Sequence, residues 1–187
     1  TGTRRTGAGA PGRGRRDRVE GYVALGSNLG DREGHLRLGL AGMASRGVAP
    51  VALSSVWETE PVGTAEALRF LNMVAKVRTA LGAEEALGVL LAVEAEAGRV
   101  RRERNAPREL DLDLLILGRI RRSGPALTLP HPRMWERRFV LAPLAEVAPG
   151  LRNPGTGRTI EEELLRLGDR PGVRRLGELA FPNRGPV

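Results

Sequence analysis

The segment at 110–117, LDLDLLIL, constrains the fold of this chain more than any other stretch. Leucine and aspartate alternate in its first half, and a period of two is typical of a β-strand with one buried face. The leucines would face the core, and Asp111 and Asp113 would lie side by side on the opposite face. Because unpaired carboxylates are costly to bury, the fold must bring cations to this face.

Two sources of positive charge are compatible with the paired aspartates. Magnesium takes one or two carboxylates and completes its octahedron with water and substrate phosphates. Alternatively, nearby arginines pair with the carboxylates on an exposed strand face. The preceding loop favours a polyphosphate site, because guanidinium groups match phosphate oxygens, although any one of its arginines alone is more often a solvated surface charge. The arginines of this loop are Arg99, Arg101, Arg102, Arg104 and Arg108.

Hydrophobic periodicity predicts the element order β-α-β-β-α-β, followed by two short helices. The order predicts an α+β fold, a ferredoxin-like α/β sandwich in which helices pack on a mostly antiparallel sheet. In the first helix, Leu36, Leu40 and Met43 share a face, and Asn28 or Asp31 is expected to cap it. The predicted strands are Val19–Gly26, 48–61, 70–81 and Leu110–Leu117, and the later helices are Ala83–Ala97, 139–149 and 158–168.

The helix predicted at Ala83–Ala97 carries a carboxylate among apolar side chains. Leu87, Leu90, Leu91 and Glu94 fall on one stripe, one turn before the arginine-rich loop. Glu94 therefore either contacts a ligand or pairs with a loop arginine, and its spacing favours neither.

Charge and composition define a tail and a single domain. The first 18 residues hold six arginines against one aspartate, which leaves only +3 of the net charge of +8 for the rest of the chain. We expect a disordered Gly/Arg-rich tail over 1–18 and one domain over 19–187, with nucleic acid an unlikely partner. The chain has no cysteine and no apolar run that could cross a bilayer, which fits a cytoplasmic protein. Its two histidines are too few for a histidine-based metal centre.

Aromatic residues are scarce, and three of them lie beside polar residues near the ends of predicted elements. Trp57, Phe70 and Phe139 would suit stacking on a flat heteroaromatic substrate, or would close the edges of the core. The segment GSNLGD at 26–31 lies between a strand and a helix but lacks the pattern of a phosphate-binding loop. It is predicted to be a tight turn, and the sequence leaves open whether the turn also lines a site.

Five blocks in order strongly resemble the 6-hydroxymethyl-7,8-dihydropterin pyrophosphokinase family of folate biosynthesis. The blocks are YVALGSNLGDR, SSVWETEPVG, FLNMVAKV, GRVRRERNAPRELDLDLLILG and LTLPHPRMWERRFVLAPLAEVAP. The resemblance implies a monofunctional enzyme that transfers pyrophosphate from ATP to the hydroxymethyl group of the pterin and releases AMP. Two magnesium ions would act with ATP, and the partners would be small molecules, with no membrane and a monomeric state.

The same resemblance assigns roles to individual residues. Asp111 and Asp113 would hold the two magnesium ions, and Arg99 and Arg108 would assist the transfer. The residues expected to contact ATP are Glu94, Arg99, Arg101, Arg108, Thr128, His131 and Arg137. The pterin would be bound by Thr59, Asn72 and the backbone near Val62, and stacked between Phe139 and the ring of Phe70 or Trp57. Loops at 44–51, 59–68 and 99–109 would close over the substrates.

Two other functions compete with this reading. A different magnesium–nucleotide phosphotransferase would use the same site and release ADP. A nucleic-acid-binding module would require a steep salt dependence that resides in the folded domain.

Overall fold

The protein has an α+β fold in which one antiparallel sheet separates two layers of helices. The structure is a computed structural model and describes residues 17–60, 68–98, 107–169 and 172–181. The strands are β1 (Val19–Ser27), β2 (Val48–Leu53), β3 (Val56–Thr59), β4 (Phe70–Thr79), β5 (Asp111–Leu117), β6 (Arg122–Ser123), β7 (Thr128–Leu129) and β8 (Val173–Gly177). The helices are α1 (Arg32–Ser45), α2 (Ala83–Glu96), α3 (Arg138–Val147) and α4 (Ile160–Leu167), with a 3₁₀ turn at Met134–Glu136.

The main sheet has the order β5-β1-β4-β3-β8, with β2 also paired to β4. Every pairing is antiparallel. One face packs on α1 and α2, and the strand residues buried there include Leu25, Met73 and Leu112. The other face packs on α3 and α4 and includes Val74 and Ile116. The predicted α+β sandwich is thereby confirmed, and the alternation in β5 does place Leu112 and Leu114 on the face opposite to the aspartates.

The predicted single strand over 48–61 is wrong, because it is interrupted at Ser54 and Ser55. Between the pairs Leu53–Ala75 and Trp57–Asn72, three residues of the outer chain oppose two of β4. At the interruption, the Ser54 hydroxyl accepts a hydrogen bond from the Val74 N–H (2.9 Å), so this backbone donor of β4 has a partner. Because of the extra residue, the side chains of β3 lie on the opposite sheet face from the one that uninterrupted alternation from β2 would give. Trp57 therefore shares a face with Asn72.

The first helix agrees with its sequence pattern, whereas the second helix differs at one position. Leu36, Leu40 and Met43 are buried, and Asp31 caps α1 by accepting a hydrogen bond from the Gly34 N–H (3.0 Å). Leu91, expected in the core, is 48% exposed, because α2 buries the narrower stripe of Ala86, Leu90, Val93 and Glu94.

Regular structure also occupies an expected loop and the C-terminal end. The loop expected at 44–51 is the end of α1, a two-residue turn and the start of β2, and Gly47 (φ +87°) makes that turn possible. At the Pro/Gly-rich C-terminal end, β8 adds to the outer edge of β3. Residues 1–16 of the expected tail lie outside the described residues. Over the described ranges, no helix has both the length and the apolar character required to cross a membrane.

A buried carboxylate stabilises the layer formed by α3 and α4. Glu163 of α4 accepts hydrogen bonds from Asn153 Nδ2, Thr156 Oγ1 and Arg166 Nε, each 2.8 Å long. Arg166 above all, and then the Thr156 and Asn153 donors, outweigh burial and hold the pKa of Glu163 below its usual value of 4.5.

Glu163→Gln should therefore change the acid sensitivity of folding. Because the folded-state pKa is lowered, the ionised group stabilises the protein above about pH 4.5, and this contribution is lost as pH falls through the lower folded pKa. In urea titrations from pH 7 to pH 3, the stability difference between wild type and Glu163→Gln should stay constant above about pH 5 and shrink below it. Glu161→Gln, on the same helix, is the control, and a pH-independent difference for Glu163→Gln would contradict the prediction.

Candidate active site

The two predicted halves of the site lie on one row across the sheet. Asp111 of β5 pairs with Gly26 of β1, Gly26 pairs with Asn72 of β4, and Asn72 pairs with Trp57 of β3. Directly opposed residues of neighbouring antiparallel strands project from the same face. The aspartate and the amide are separated by two strand spacings, about 10 Å.

Each of the two aspartates faces an arginine. Arg108 Nη1 lies 2.9 Å from Asp111 Oδ1, and Arg137 Nη1 lies 3.1 Å from Asp113 Oδ2. The side chains of Asp111 and Asp113 are 27% and 34% exposed, so the carboxylates remain open to solvent and to ligands. In the described part of the chain, no group of three or more acidic or histidine side chains forms a metal site by itself.

His131 presents a ring N–H toward Asp113. Its backbone N–H donates to the Leu115 carbonyl (2.8 Å), at the point where the register of β5 against β1 shifts. Its Nδ1 accepts from the Arg133 N–H (3.2 Å), so the proton of the neutral ring is on Nε2, which lies 4.0 Å from Asp113 Oδ2. Burial, helped by the charges of Arg137 and Arg133, lowers the pKa of His131 against the opposing effect of Asp113. The ring is therefore a neutral donor at pH 7.

The other end of the row carries a buried amide. Asn72 Nδ2 donates to Thr59 Oγ1 (2.6 Å), and both residues are buried. Phe70 is half-buried and lies opposite Thr59 in the sheet. Phe139, at the start of α3, has the guanidinium carbon of Arg137 5.7 Å from its ring centroid. An amide and two aromatic rings are the kinds of group that bind a flat heteroaromatic ligand, and the assignment of these residues to the pterin remains a prediction.

Trp57 is fixed by α3. Its Nε1 donates to Glu146 Oε1 (2.9 Å), and Glu146 Oε2 accepts from the Ser55 N–H (2.7 Å). Of the two rings predicted for the second stacking wall, Phe70 is therefore better placed, because its ring lies beside Gly26 in the middle of the row.

Glu94 and Thr128 form contacts within the protein. Glu94 is buried, and its Oε1 accepts a hydrogen bond from the Leu112 N–H (2.7 Å), between the two aspartates of β5. Thr128 Oγ1 donates to the Gly124 carbonyl (3.2 Å). Their contacts with ATP remain predictions. Arg99, Arg101 and Val62 lie outside the described residues, and so do most of the loops around them.

Asn28 is a residue of the site that the sequence pattern did not identify. Its side-chain Oδ1 accepts from the Arg108 N–H (2.8 Å), and its own N–H donates to the Arg108 carbonyl (3.2 Å). This reciprocal pair fixes the backbone from which Arg108 reaches Asp111. The only signal in the sequence is an asparagine in the GSNLGD turn, where it is a candidate helix cap.

If Arg108 assists transfer, as the resemblance implies, Asn28→Ala should lower kcat about 10-fold to 100-fold with a smaller change in the affinity for ATP, because the substitution would displace a group that acts mainly in the transition state. Steady-state kinetics of Asn28→Ala, Arg108→Ala and the double variant would measure the effect. If Asn28 acts through Arg108, its substitution should have little further effect in the Arg108→Ala background. Additive losses would contradict this.

Comparisons with known proteins identify the family of this chain. Residues 22–149 match the family described as 7,8-dihydro-6-hydroxymethylpterin-pyrophosphokinase (HPPK). The 2-amino-4-hydroxy-6-hydroxymethyldihydropteridine pyrophosphokinase of Bacillus subtilis is 42% identical over 78% of this chain and 88% of its own length. The enzyme of the same name from Pseudomonas aeruginosa is 42% identical over 83% of this chain and 95% of its own length. The mitochondrial folate synthesis bifunctional protein of Arabidopsis thaliana is 43% identical over 68% of this chain, which spans only 23% of that protein.

A solved HPPK-DHPS structure in complex with substrates shows the same fold. It superposes with a TM-score of 0.68 at 11% identity over 88% of this chain, and the chain spans 48% of that longer protein. The family match, the two bacterial relatives and the shared fold lead to one conclusion. The chain belongs to the 7,8-dihydro-6-hydroxymethylpterin-pyrophosphokinase family and is a pyrophosphokinase of folate biosynthesis.

Proposed function

We propose that this protein transfers the pyrophosphoryl group of ATP to the hydroxymethyl oxygen of 6-hydroxymethyl-7,8-dihydropterin, with magnesium bound by Asp111 and Asp113. The hydroxyl oxygen forms a bond to the β-phosphorus, the bond from that phosphorus to the α–β bridging oxygen breaks, and AMP leaves. The hydroxyl proton is lost to solvent. The observation that carries the proposal is the row on which Asp111 and Asn72 face the same side of one sheet.

The two aspartates fit magnesium by the chemistry of their donor atoms. Magnesium is a hard cation that takes one or two carboxylates, keeps water and completes its octahedron with phosphate oxygens. Two partly exposed carboxylates on adjacent same-face positions of β5 meet that requirement without further protein ligands. When bound, magnesium neutralises phosphate charge and stabilises the charge that develops during transfer.

The cationic side chains around the aspartates support binding of the phosphates. Arg108 and Arg137 lie within 3.1 Å of the carboxylates, so their guanidiniums border the place that a metal-bound polyphosphate would occupy. Their planar donors suit phosphate oxygens, and His131 adds a neutral N–H on the same side. Arg99 and Arg101, together with Glu94 and Thr128, complete the proposed ATP site.

The groups at the acceptor end suit the hydrogen-bonding edge and the flat ring faces of a pterin. The Asn72 amide is held by Thr59 in a buried position, where an unpaired amide is costly and a matching donor–acceptor edge is favoured. Phe70 and Phe139 would stack on the two ring faces, and the backbone near Val62 would contribute further hydrogen bonds. A monomeric state and a cytoplasmic location belong to the same proposal.

Product analysis tests this function directly. The protein would be incubated with ATP and magnesium, with and without 6-hydroxymethyl-7,8-dihydropterin, and AMP resolved from ADP. We expect AMP only when the pterin is present, and no transfer in excess EDTA. Pterin-dependent ADP would instead indicate single-phosphoryl transfer at the same site. The absence of any pterin-dependent product would reject the acceptor.

A further inference from the structure

The first strand contains two internal glycines with different surroundings. A Cβ at Gly21 would lie 2.7 Å from the Ile116 carbonyl oxygen, so the pairing of β1 with β5 excludes a side chain there. A Cβ at Gly26 would meet no backbone atom that closely. Its nearest neighbours would be Asn72 Oδ1 at 3.3 Å, a Phe70 ring carbon at 3.7 Å and Asp111 Cβ at 3.9 Å.

Backbone conformation does not explain the glycine at position 26 either. Gly26 pairs regularly with Asn72 on one side and with Asp111 on the other, and its φ lies outside the left-handed region that favours glycine. Any L-residue could adopt this backbone. Glycine also weakens a strand interior, because it loses more conformational freedom on folding and contributes no packing. The missing side chain therefore leaves a gap on the site face of the sheet that even a methyl group would fill, because its Cβ would lie 3.3 Å from Asn72 Oδ1.

That space lies between the two functional ends of the row. The three neighbours of the missing Cβ are one amide, one aromatic wall and one metal-binding aspartate, all of them residues of the proposed site. A pterin held at Asn72 must extend its hydroxymethyl group toward Asp111 to meet the phosphates. The shortest path between these positions crosses the sheet over Gly26.

We propose that Gly26 is a specificity-determining residue, whose lack of a side chain admits the reacting end of the acceptor between Asn72 and Asp111. This inference rests on the proposed function. Position 26 then sets the size of the group that can reach the phosphates, while ATP, bound by β5 and the residues beyond it, does not need the space. A methyl group at this position should hinder the pterin selectively.

The experiment is Gly26→Ala, with Gly88→Ala as the matched control. Gly88 lies on the exposed side of α2, and a Cβ there would meet nothing within 4 Å. Three quantities would be measured for each variant: KM for the pterin, kcat, and Kd for a non-hydrolysable ATP analogue with magnesium in the absence of pterin. KM and Kd do not depend on the folded fraction, so a loss of stability in Gly26→Ala would not obscure the result.

We expect KM for the pterin to rise at least about 10-fold in Gly26→Ala, with Kd for the ATP analogue changed less than about 2-fold. Gly26→Val should raise KM further, and Gly88→Ala should match wild type. An unchanged KM in Gly26→Ala, or equal losses for both ligands, would overturn the inference about Gly26 while leaving the proposed function intact. If wild type itself shows no pterin-dependent AMP, the proposed function fails first.

Discussion

Asp111→Asn or Asp113→Asn should each reduce pterin-dependent AMP release by at least about 10³-fold. Asparagine keeps the shape of the side chain but removes the charge that would hold magnesium under the proposed function, and metal stabilisation of phosphoryl transfer is worth several kcal/mol. Single-turnover measurements at saturating ATP and magnesium would separate this loss from weaker binding. The rate loss should persist at millimolar magnesium, because an amide cannot replace the lost charge.

A surface carboxylate provides the control for these variants. Glu84 pairs with Arg122 (2.8 Å) on the exposed side of α2, and Glu84→Gln should retain full activity. Thermal melts of all three variants would show whether a rate loss accompanies unfolding. Wild-type turnover in either aspartate variant, with the fold intact, would remove the assignment of that residue to magnesium.

Asn72→Ala should lower kcat/KM for the pterin by at least about 10²-fold while ATP binding changes little. Sites that hydrogen-bond a substrate discriminate strongly, because a lost partner leaves buried polar groups unpaired. Asn72 is 7% exposed and is held by Thr59 (2.6 Å), so water cannot readily replace its amide. Steady-state kinetics with each substrate varied in turn would measure the two effects.

Asn153 offers a matched control, because it is a similarly buried asparagine in a different network. Its Nδ2 donates to Glu163 (2.8 Å), within the layer of α4. Asn153→Ala should lower the free energy of unfolding and leave the selectivity between pterin and ATP unchanged. If Asn72→Ala weakened ATP and pterin equally, the residue would be supporting the fold and not recognising the acceptor.

The spacing of apolar residues in the sequence was enough to predict the elements near the proposed phosphate site. The alternation in β5 predicted which face Asp111 and Asp113 share, and the 3.6-residue period predicted the buried face of α1. The sequence left open whether magnesium or arginine side chains meet the aspartates. The structure shows an arginine in contact with each carboxylate. Arg108 is three residues from Asp111, but Arg137 is 24 residues from Asp113, and no local spacing relates that pair.

The acceptor half depends on features that have no local signal. The interruption at Ser54 and Ser55 adds one residue between β2 and β3 relative to the paired strand β4. Alternation in the sequence therefore does not reveal on which face of the sheet the Trp57 side chain lies. The strand β8 forms through pairing with a segment more than 110 residues earlier, so its own composition was a poor guide. Glu94 accepts a hydrogen bond from the Leu112 N–H of β5, a contact that no local spacing indicates, and both hypotheses for its carboxylate remain predictions.

The ion pairs of Arg108 with Asp111 and of Arg137 with Asp113 affect how a nucleotide and its metal would bind. A lone cation would have to compete with guanidinium groups for Asp111 and Asp113, and a lone nucleotide would meet carboxylates that repel its phosphates. If the two arrived together, Asp111 and Asp113 would hold the cation while Arg108 and Arg137 would bind the phosphates, so each charged side chain would exchange one partner of opposite charge for another. We therefore expect positive cooperativity between magnesium and ATP, and thermodynamic reciprocity requires each to tighten the other's binding by the same factor.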